Sequence, residues 1–354
     1  MPTPEMVRGE KLVHQSRLTK IVGALATATV LTLAGVVHTS REKQGAHEKH
    51  PQLQHSANLQ SLVEDSFPGP LQPLRAITGL DPKVVNLGDR LFHESRLSID
   101  GTISCASCHD LNSGGDDGRP LAVGIGGAQG ERNSPTVFNS GHNPFLLWDG
   151  RVRSLEEQVN GPIEDPKEMA SNWDHVVAVL AGDPDYARAF QDALGEGPTP
   201  DGVRFAIAEF ERSLMTLDSP FDQYMTGDES ALSESAIRGY GLFLDLGCAT
   251  CHQGANIGGN MRQPLGRIRD YLEGGDQAMD ASGRQSSIFR VPSLRNVGIT
   301  APYFHDGSIP TLGEAVRVMA HFQLGEELKD SEVQDIVRFL DSLTGLMPTG
   351  AFTK

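Results

Sequence analysis

Apolar positions recur at helical spacing through most of the chain after about residue 67. Asp81-Pro82 opens a predicted helix whose apolar side is Val84, Val85, Leu87, Leu91 and Phe92. Ser154 with Glu157 three residues on reads as a capping box, and Asn172 as a cap for Val176, Val177, Val179 and Leu180. Further helices are expected over Asp185 to Leu194, Gly202 to Leu217 and Ser233 to Leu246. Thr311 with Glu314 forms a second capping box before Ala315, Val316, Val318, Met319 and Phe322. The last helix, Ser331 to Leu343, carries Val333, Ile336, Val337, Leu340 and Leu343 on one face. No stretch keeps a sustained period-two alternation. The expected class is mainly α, with long loops. One loop, Ser113 to Gly130, is rich in Gly and Asp and suits close backbone approach to a flat group.

The first residues break this pattern. Arg8, Lys11, Arg17 and Lys20 precede an uncharged apolar run from Ile21 to Val37. A basic start followed by an apolar run is an export signal, here without a clean small-residue cleavage site. Residues 1–38 are therefore read as a signal peptide or an N-terminal membrane anchor. Residues 39–66 are polar, with His47, His50 and His55, and read as a flexible linker. Two domains are expected beyond it, at 67–219 and 220–354, parted near Ser219-Pro220. Export places the bulk of the chain in the periplasm, free or tethered to the inner membrane by the apolar run.

Composition narrows the function. A net charge of −16 argues against nucleic-acid binding. An acidic surface steers basic partners, although simple solubility explains it equally well. Aromatic residues make up 6% of the chain, which is low for a core of this size and leaves apolar volume for a bound group to fill.

That group is named by the cysteines. All four lie in two copies of one pentapeptide, Cys105-Ala106-Ser107-Cys108-His109 and Cys248-Ala249-Thr250-Cys251-His252. Cys-x-x-Cys-His is the attachment site of a c-type haem: two thioether bonds hold the porphyrin edge and the His ligates the iron. A zinc ribbon would bring its two pairs much closer in sequence, and a redox disulfide needs no following His. Two covalent c-type haems are expected, one in each of two cytochrome c-like domains. Leu91-Phe92 before the first motif and Leu242-Phe243 before the second suggest a weak internal repeat.

Several segments together resemble the bacterial dihaem cytochrome c peroxidases and the related MauG-type enzymes. They are Ser104 to His109, Arg132-Asn133-Ser134-Pro135-Thr136, Trp148-Asp149-Gly150-Arg151, Val291-Pro292-Ser293-Leu294-Arg295-Asn296, Thr300 to Gly307, and Thr311-Leu312 through Met319. The resemblance implies that residues 67–219 hold a peroxidatic haem and residues 220–354 an electron-transfer haem. It implies Met319 as distal iron ligand of the second haem, where a thioether raises the potential; an ordinary core Met is the alternative. It implies Trp148 as the aromatic residue between the haems. It places Gln158, Pro162 and Glu168 around peroxide: Glu168 as general acid/base, Gln158 to position the substrate, and Pro162 to keep the distal side open. Asn133, with the carbonyls of Thr300 and Pro302, matches a calcium site, with a structural turn as the alternative.

The chain departs from the family at one place. Many members rest with a distal His on the loop after the first motif. Ile125 stands there, and Ile cannot bind iron. The first haem is therefore expected to be open at rest and to need no reductive activation. The resemblance implies a peroxidase reducing hydrogen peroxide with electrons from a small cytochrome c or cupredoxin, and suggests a homodimer. A MauG-like enzyme oxidising residues of a partner protein and a non-catalytic electron carrier are the other readings. Met319 favours the first, the missing His the second, and the retained pocket residues disfavour the third.

Overall fold

The computed structural model describes residues 69–271, 278–279, 285–286 and 288–348. The expectations for residues 1–66, an export segment and a linker, lie outside the described residues. Helices come in chain order as α1 (Pro82–Phe92), α2 (Leu155–Gln158), α3 (Asn160–Glu164), α4 (Trp173–Ala181), α5 (Pro184–Leu194) and α6 (Pro200–Ser213). They continue as α7 (Pro220–Met225), α8 (Glu234–Asp245), α9 (Leu312–Val318) and α10 (Asp330–Asp341).

Most of the expected caps form. Asp81 accepts from the Lys83 N–H with Pro82 at the first helical position, and Asn172, Ser233 and Thr311 each accept from the backbone N–H three residues on. Ser154 likewise caps α2, but its box is only half made: the Glu157 carboxylate accepts from the Arg153 N–H instead of the cap residue. α6 ends at Ser213, earlier than its apolar spacing suggests. The Thr216 N–H donates to Asn139 Oδ1 at 2.9 Å, and Leu217 pairs with Leu346, so the chain leaves the helix to make these contacts. Short antiparallel ribbons, not foreseen from the pattern, join β1 (Arg262–Pro264) to β4 (Ile288–Arg290) and β2 (Ala278–Met279) to β3 (Gln285–Ser286).

Each half of the chain is built on one helix pair. α1 packs on α6 through Val84, Leu87, Leu91 and Phe92 against Val203, Ala206, Ile207 and Phe210. α8 packs on α10 through Ala236 and Phe243 against Ile336, Phe339 and Leu340. A glycine lets each pair touch backbone to backbone. A Cβ on Gly88 would stand 1.9 Å from the Ala206 carbonyl oxygen, and one on Gly239 would stand 1.9 Å from that of Asp335. Both crossings lie in the helix that leads to a Cys-x-x-Cys-His motif, so they fix where that motif is delivered.

The leading segment of the described chain is tied to the second half around Arg295, which is 1% exposed. Its guanidinium donates to both Asp222 carboxylate oxygens at 2.7 and 2.9 Å, to Ser219 Oγ, and to the carbonyls of Gln72 and Ala255. Asp222 also accepts from the Leu74 N–H. A buried charge pair satisfied at this many points fixes the approach of segments far apart in sequence.

Candidate haem-binding sites

Both pentapeptides fold into the same local structure. Cys105–Ser107 and Cys248–Thr250 are single 3-10 turns, and the His N–H closes each by donating to the first Cys carbonyl, His109 to Cys105 and His252 to Cys248. This puts both thiols and the imidazole of each motif on one short stretch. A Phe from the preceding helix packs on each imidazole: Phe92 on His109 with ring centres 6.4 Å apart, Phe243 on His252 at 6.3 Å. The Leu-Phe repeat in the sequence therefore marks a real structural equivalence.

The first motif opens onto a small cavity lined by Cys105, Cys108, His109, Gln158, Pro162 and Glu168. His109 Nδ1 lies 3.2 Å from the Gly115 carbonyl, which leaves Nε2 as the free ring nitrogen. Burial holds the imidazole below its ordinary pKa, so it is neutral and competent as a ligand. Burial, reinforced by the Asp165 carboxylate, pushes the Glu168 carboxyl up to about 7, while Arg151 opposes the rise. The acid is thus poised between its two protonation states at neutral pH.

The loop that carries Ile125 is clamped to this wall. The Ile125 N–H donates to the Glu168 carbonyl at 2.9 Å. A Cβ on Gly124 would stand 2.0 Å from the Lys167 carbonyl oxygen, so only glycine allows the loop to lie so close. The described loop turns its backbone, not an iron-binding side chain, toward the pocket.

The second motif opens onto a larger, mostly apolar cavity of about 220 Å³. Cys248, His252, Met319, Trp148, Asn133, Thr300 and Pro302 all line it. Cys251 closes the same turn as Cys248. His252 is half-buried with its Nδ1 enclosed, that atom makes no hydrogen bond of good geometry, and desolvation lowers its pKa to about 4 despite the nearby Ile257 and Pro292 carbonyls. Met319 begins a π-helical turn, Met319–Leu324, that continues α9; such turns recur at functional sites because they redirect one side chain.

The two cavities share a wall. The Pro135 carbonyl faces the His109 ring, while Asn133 to Thr136 line the second cavity. Trp148 is fixed to this wall by Nε1–H donating to the Asn133 carbonyl at 2.8 Å, and its ring meets His305 edge-on at 6.4 Å. Asn133 Nδ2 donates to the Arg119 carbonyl and its N–H to that of His305. Asn133, Thr300 and Pro302 line the same cavity.

An internal duplication now becomes visible. Asn139 and Asn296, Leu147 and Phe304, and Gly150 and Gly307 all have positive φ, and the bridge Leu146 to Val152 matches Tyr303 to Ile309. The same constant spacing aligns Trp148 with His305, the cap Ser154 with Thr311, Leu155 with Leu312, and Pro162 with Met319. Pro162 and Met319 are one scaffold position filled in two ways. The matching Asn, Asp-Gly and Ser/Thr-Leu residues were readable in the sequence and would have revealed this.

Residues 82–230 match the family of di-haem cytochrome c peroxidases, and residues 236–344 match cytochrome c. The chain is 42% identical over 284 residues to the cytochrome c551 peroxidase of Nitrosomonas europaea, covering 79% of this chain and 85% of that protein. The chain belongs to the di-haem cytochrome c peroxidase family. It is also 46% identical over 285 residues to cytochrome c peroxidase Ccp of Escherichia coli, across 78% of this chain but only 61% of that longer protein. Among solved structures, a MauG-like protein associated with microbial copper homeostasis superposes with a TM-score of 0.66 at 28% identity, covering 80% of this chain and 95% of that one.

The cofactors of the family are two c-type haems, and the residues present fit them. Each site offers two thiols, a neutral imidazole and an apolar cavity beside them, and the buried His252 Nδ1 has polar capacity to spare. One site residue went unseen in the sequence. Glu211 lines the first cavity, is 6% exposed, and has its carboxyl pushed up by burial to about 8. The signal was an acid on the apolar stripe of α6, beside Ile207, Phe210 and Leu214.

Proposed function

We propose that the chain reduces hydrogen peroxide to water at the site of His109, using electrons delivered from a small redox protein through the site of His252. The observation that carries this reading is the asymmetry of the repeated position: Pro162 in the first site, Met319 in the second. Cys105, Cys108 and His109 would hold one haem; Cys248, Cys251, His252 and Met319 would hold the other. When bound, the first haem would supply a redox-active iron for cleavage of the O–O bond, and the second would supply electrons from the donor.

The chain's own residues do the rest. Pro162 has no side-chain donor and leaves the distal side of the first site free. Gln158 orients peroxide by hydrogen bonding from its amide. The Glu168 carboxylate takes the proton from the inner peroxide oxygen and returns it to the outer one, which leaves as water. Two protons and two electrons convert one peroxide into two waters. Trp148, fixed on the shared wall, is the aromatic bridge between the sites.

Asn133 with the Thr300 and Pro302 carbonyls is the calcium site of this proposal; oxygen donors suit that ion, and all three residues line the second cavity. Periplasmic location follows from the basic and apolar start of the sequence. Among the described residues no helix is long and apolar enough to cross a membrane. A small cytochrome c or cupredoxin as donor, and a homodimer, belong to the same proposal.

Ile125, locked onto Glu168, supports a first site that works without prior reduction. MauG-type protein oxidation shares such an open site, so one experiment separates the readings. Steady-state peroxide turnover with reduced donor cytochrome, on enzyme never itself reduced, is expected to be fast from the first turnover. No turnover, together with oxidation of an added partner protein, would favour the alternative. Electron exchange with no response to peroxide would favour a carrier.

A further inference from the structure

The second cavity is lined by a cation that no carboxylate among the described residues answers. Arg290 ends β4 and lines the cavity at 5% exposure. Its main-chain N–H donates to the Trp148 carbonyl at 2.8 Å, and its Nε donates to the Leu147 carbonyl at 3.2 Å. Leu147 holds a left-handed φ of +63°, a strained choice for a branched residue, and its carbonyl is the one that meets the guanidinium. Among the described residues no carboxylate pairs with Arg290. Asp149, on the adjoining segment, is already held by Arg151 at 2.6 Å. Burial alone pulls the Arg290 pKa down to about 10, which still leaves it charged at neutral pH.

A second cation makes the arrangement more demanding. Arg262 stands directly opposite Arg290 in the β1–β4 ladder. Like charges facing one another across two strands are unfavourable. A buried guanidinium without an anion is more so, because its desolvation is uncompensated. Arginine's planar fork of donors matches a carboxylate bidentately. With Nε committed to Leu147, the terminal nitrogens are left for such a group.

We propose that Arg290, assisted by Arg262, receives a propionate carboxylate of the haem held by Cys248 and Cys251. Arg290 is then a positioning residue that also acts through its charge. It seats the second haem against the Trp148 segment and keeps its propionate ionised. A positive charge at the propionate favours the reduced iron, adding to the thioether of Met319.

The test uses the full dihaem protein and its Arg290→Gln, Arg290→Lys and Arg262→Gln variants, with haem counted by pyridine haemochrome. The midpoint potential of the second haem is followed by spectroelectrochemistry across pH. In wild type the potential should be nearly flat through the neutral range, because the propionate stays ionised. Arg290→Gln should lower it and introduce a fall with rising pH, because the propionate now titrates with the iron. Arg290→Lys should restore most of the potential, and Arg262→Gln should shift it less and in the same direction. Unchanged potential and pH slope in a fully loaded Arg290→Gln protein would overturn the proposal, as would Lys behaving like Gln. Should the Gln variant not accumulate, the Lys variant and the wild-type slope decide: a steep neutral-range slope in wild type contradicts it. A wild-type potential that moves with added acetate or phosphate would assign the site to a free anion instead. The inference rests on the two-haem reading; a count of fewer than two haems in wild type would defeat that reading, whereas two haems without the shift defeats only this one.

Discussion

Glu168→Gln removes the proton carrier from the first cavity while keeping its shape. The magnitude follows from the environment. An ordinary glutamate near 4.5 would be only about 0.3% protonated at pH 7, whereas this carboxyl, at about 7, is half protonated. The shift corresponds to about 3 kcal/mol of preference for the neutral form, set first by burial and then by Asp165. Accepting a proton from peroxide requires the carboxylate, so kcat/KM should rise about tenfold per pH unit below 7 and level off above it. Glu168→Gln should lower turnover by about 10²- to 10⁴-fold and abolish that limb. Two neighbours supply the sign test. Asp165→Asn removes the carboxylate that raises the value, so the limb moves to lower pH. Arg151→Gln removes the guanidinium that lowers it, so the limb moves to higher pH. The assay is initial-rate oxidation of reduced donor cytochrome across pH. A limb that stays at about 7 in Glu168→Gln, or that moves the same way in both neighbour variants, would refute the assignment.

Met319→Ala should open the second site, so that its ferric haem binds cyanide and its potential falls by hundreds of millivolts or on that order; a site that still excludes cyanide would contradict ligation. Asp222→Ala should cost about 3–5 kcal/mol in denaturant unfolding, because it strands the buried Arg295 charge. Gly239→Ala places a methyl against the Asp335 carbonyl and should destabilise by about 1–3 kcal/mol, read the same way. Glu211 has its pKa raised in the folded state, so the unfolded chain releases its proton first; stability should fall as pH rises from about 4.5 to 8, and Glu211→Gln should flatten that slope.

Much of this was legible in the chain because it rests on local chemistry. The Cys-x-x-Cys-His turns, the caps at Asp81, Asn172 and Thr311, and the apolar faces of α1, α8 and α10 need only near neighbours. The end of α6 was not legible: Asn139 and Leu346, both distant in sequence, draw residues 215–217 out of the helix. Nor were the short ribbons, which are too brief to alternate. Glu211 looked like one of 46 acids until its place on a buried helix face was set beside a cavity. Arg290 was hidden for the same reason, since its place on the cavity wall without a carboxylate among the described residues depends on the folded chain. The Pro162–Met319 equivalence is the instructive case. Both residues could be singled out one at a time, but their shared position emerged from matching backbone conformations, and it turns two assignments into one argument.

The central claim is that this one position leaves the first haem open and closes the second. Electron paramagnetic resonance and absorption spectra of the oxidised protein, prepared without any reductant, test it most directly. One low-spin His–Met centre and one high-spin centre that binds an added ligand at once are the predicted result. Two low-spin centres, each with two protein ligands, would contradict it.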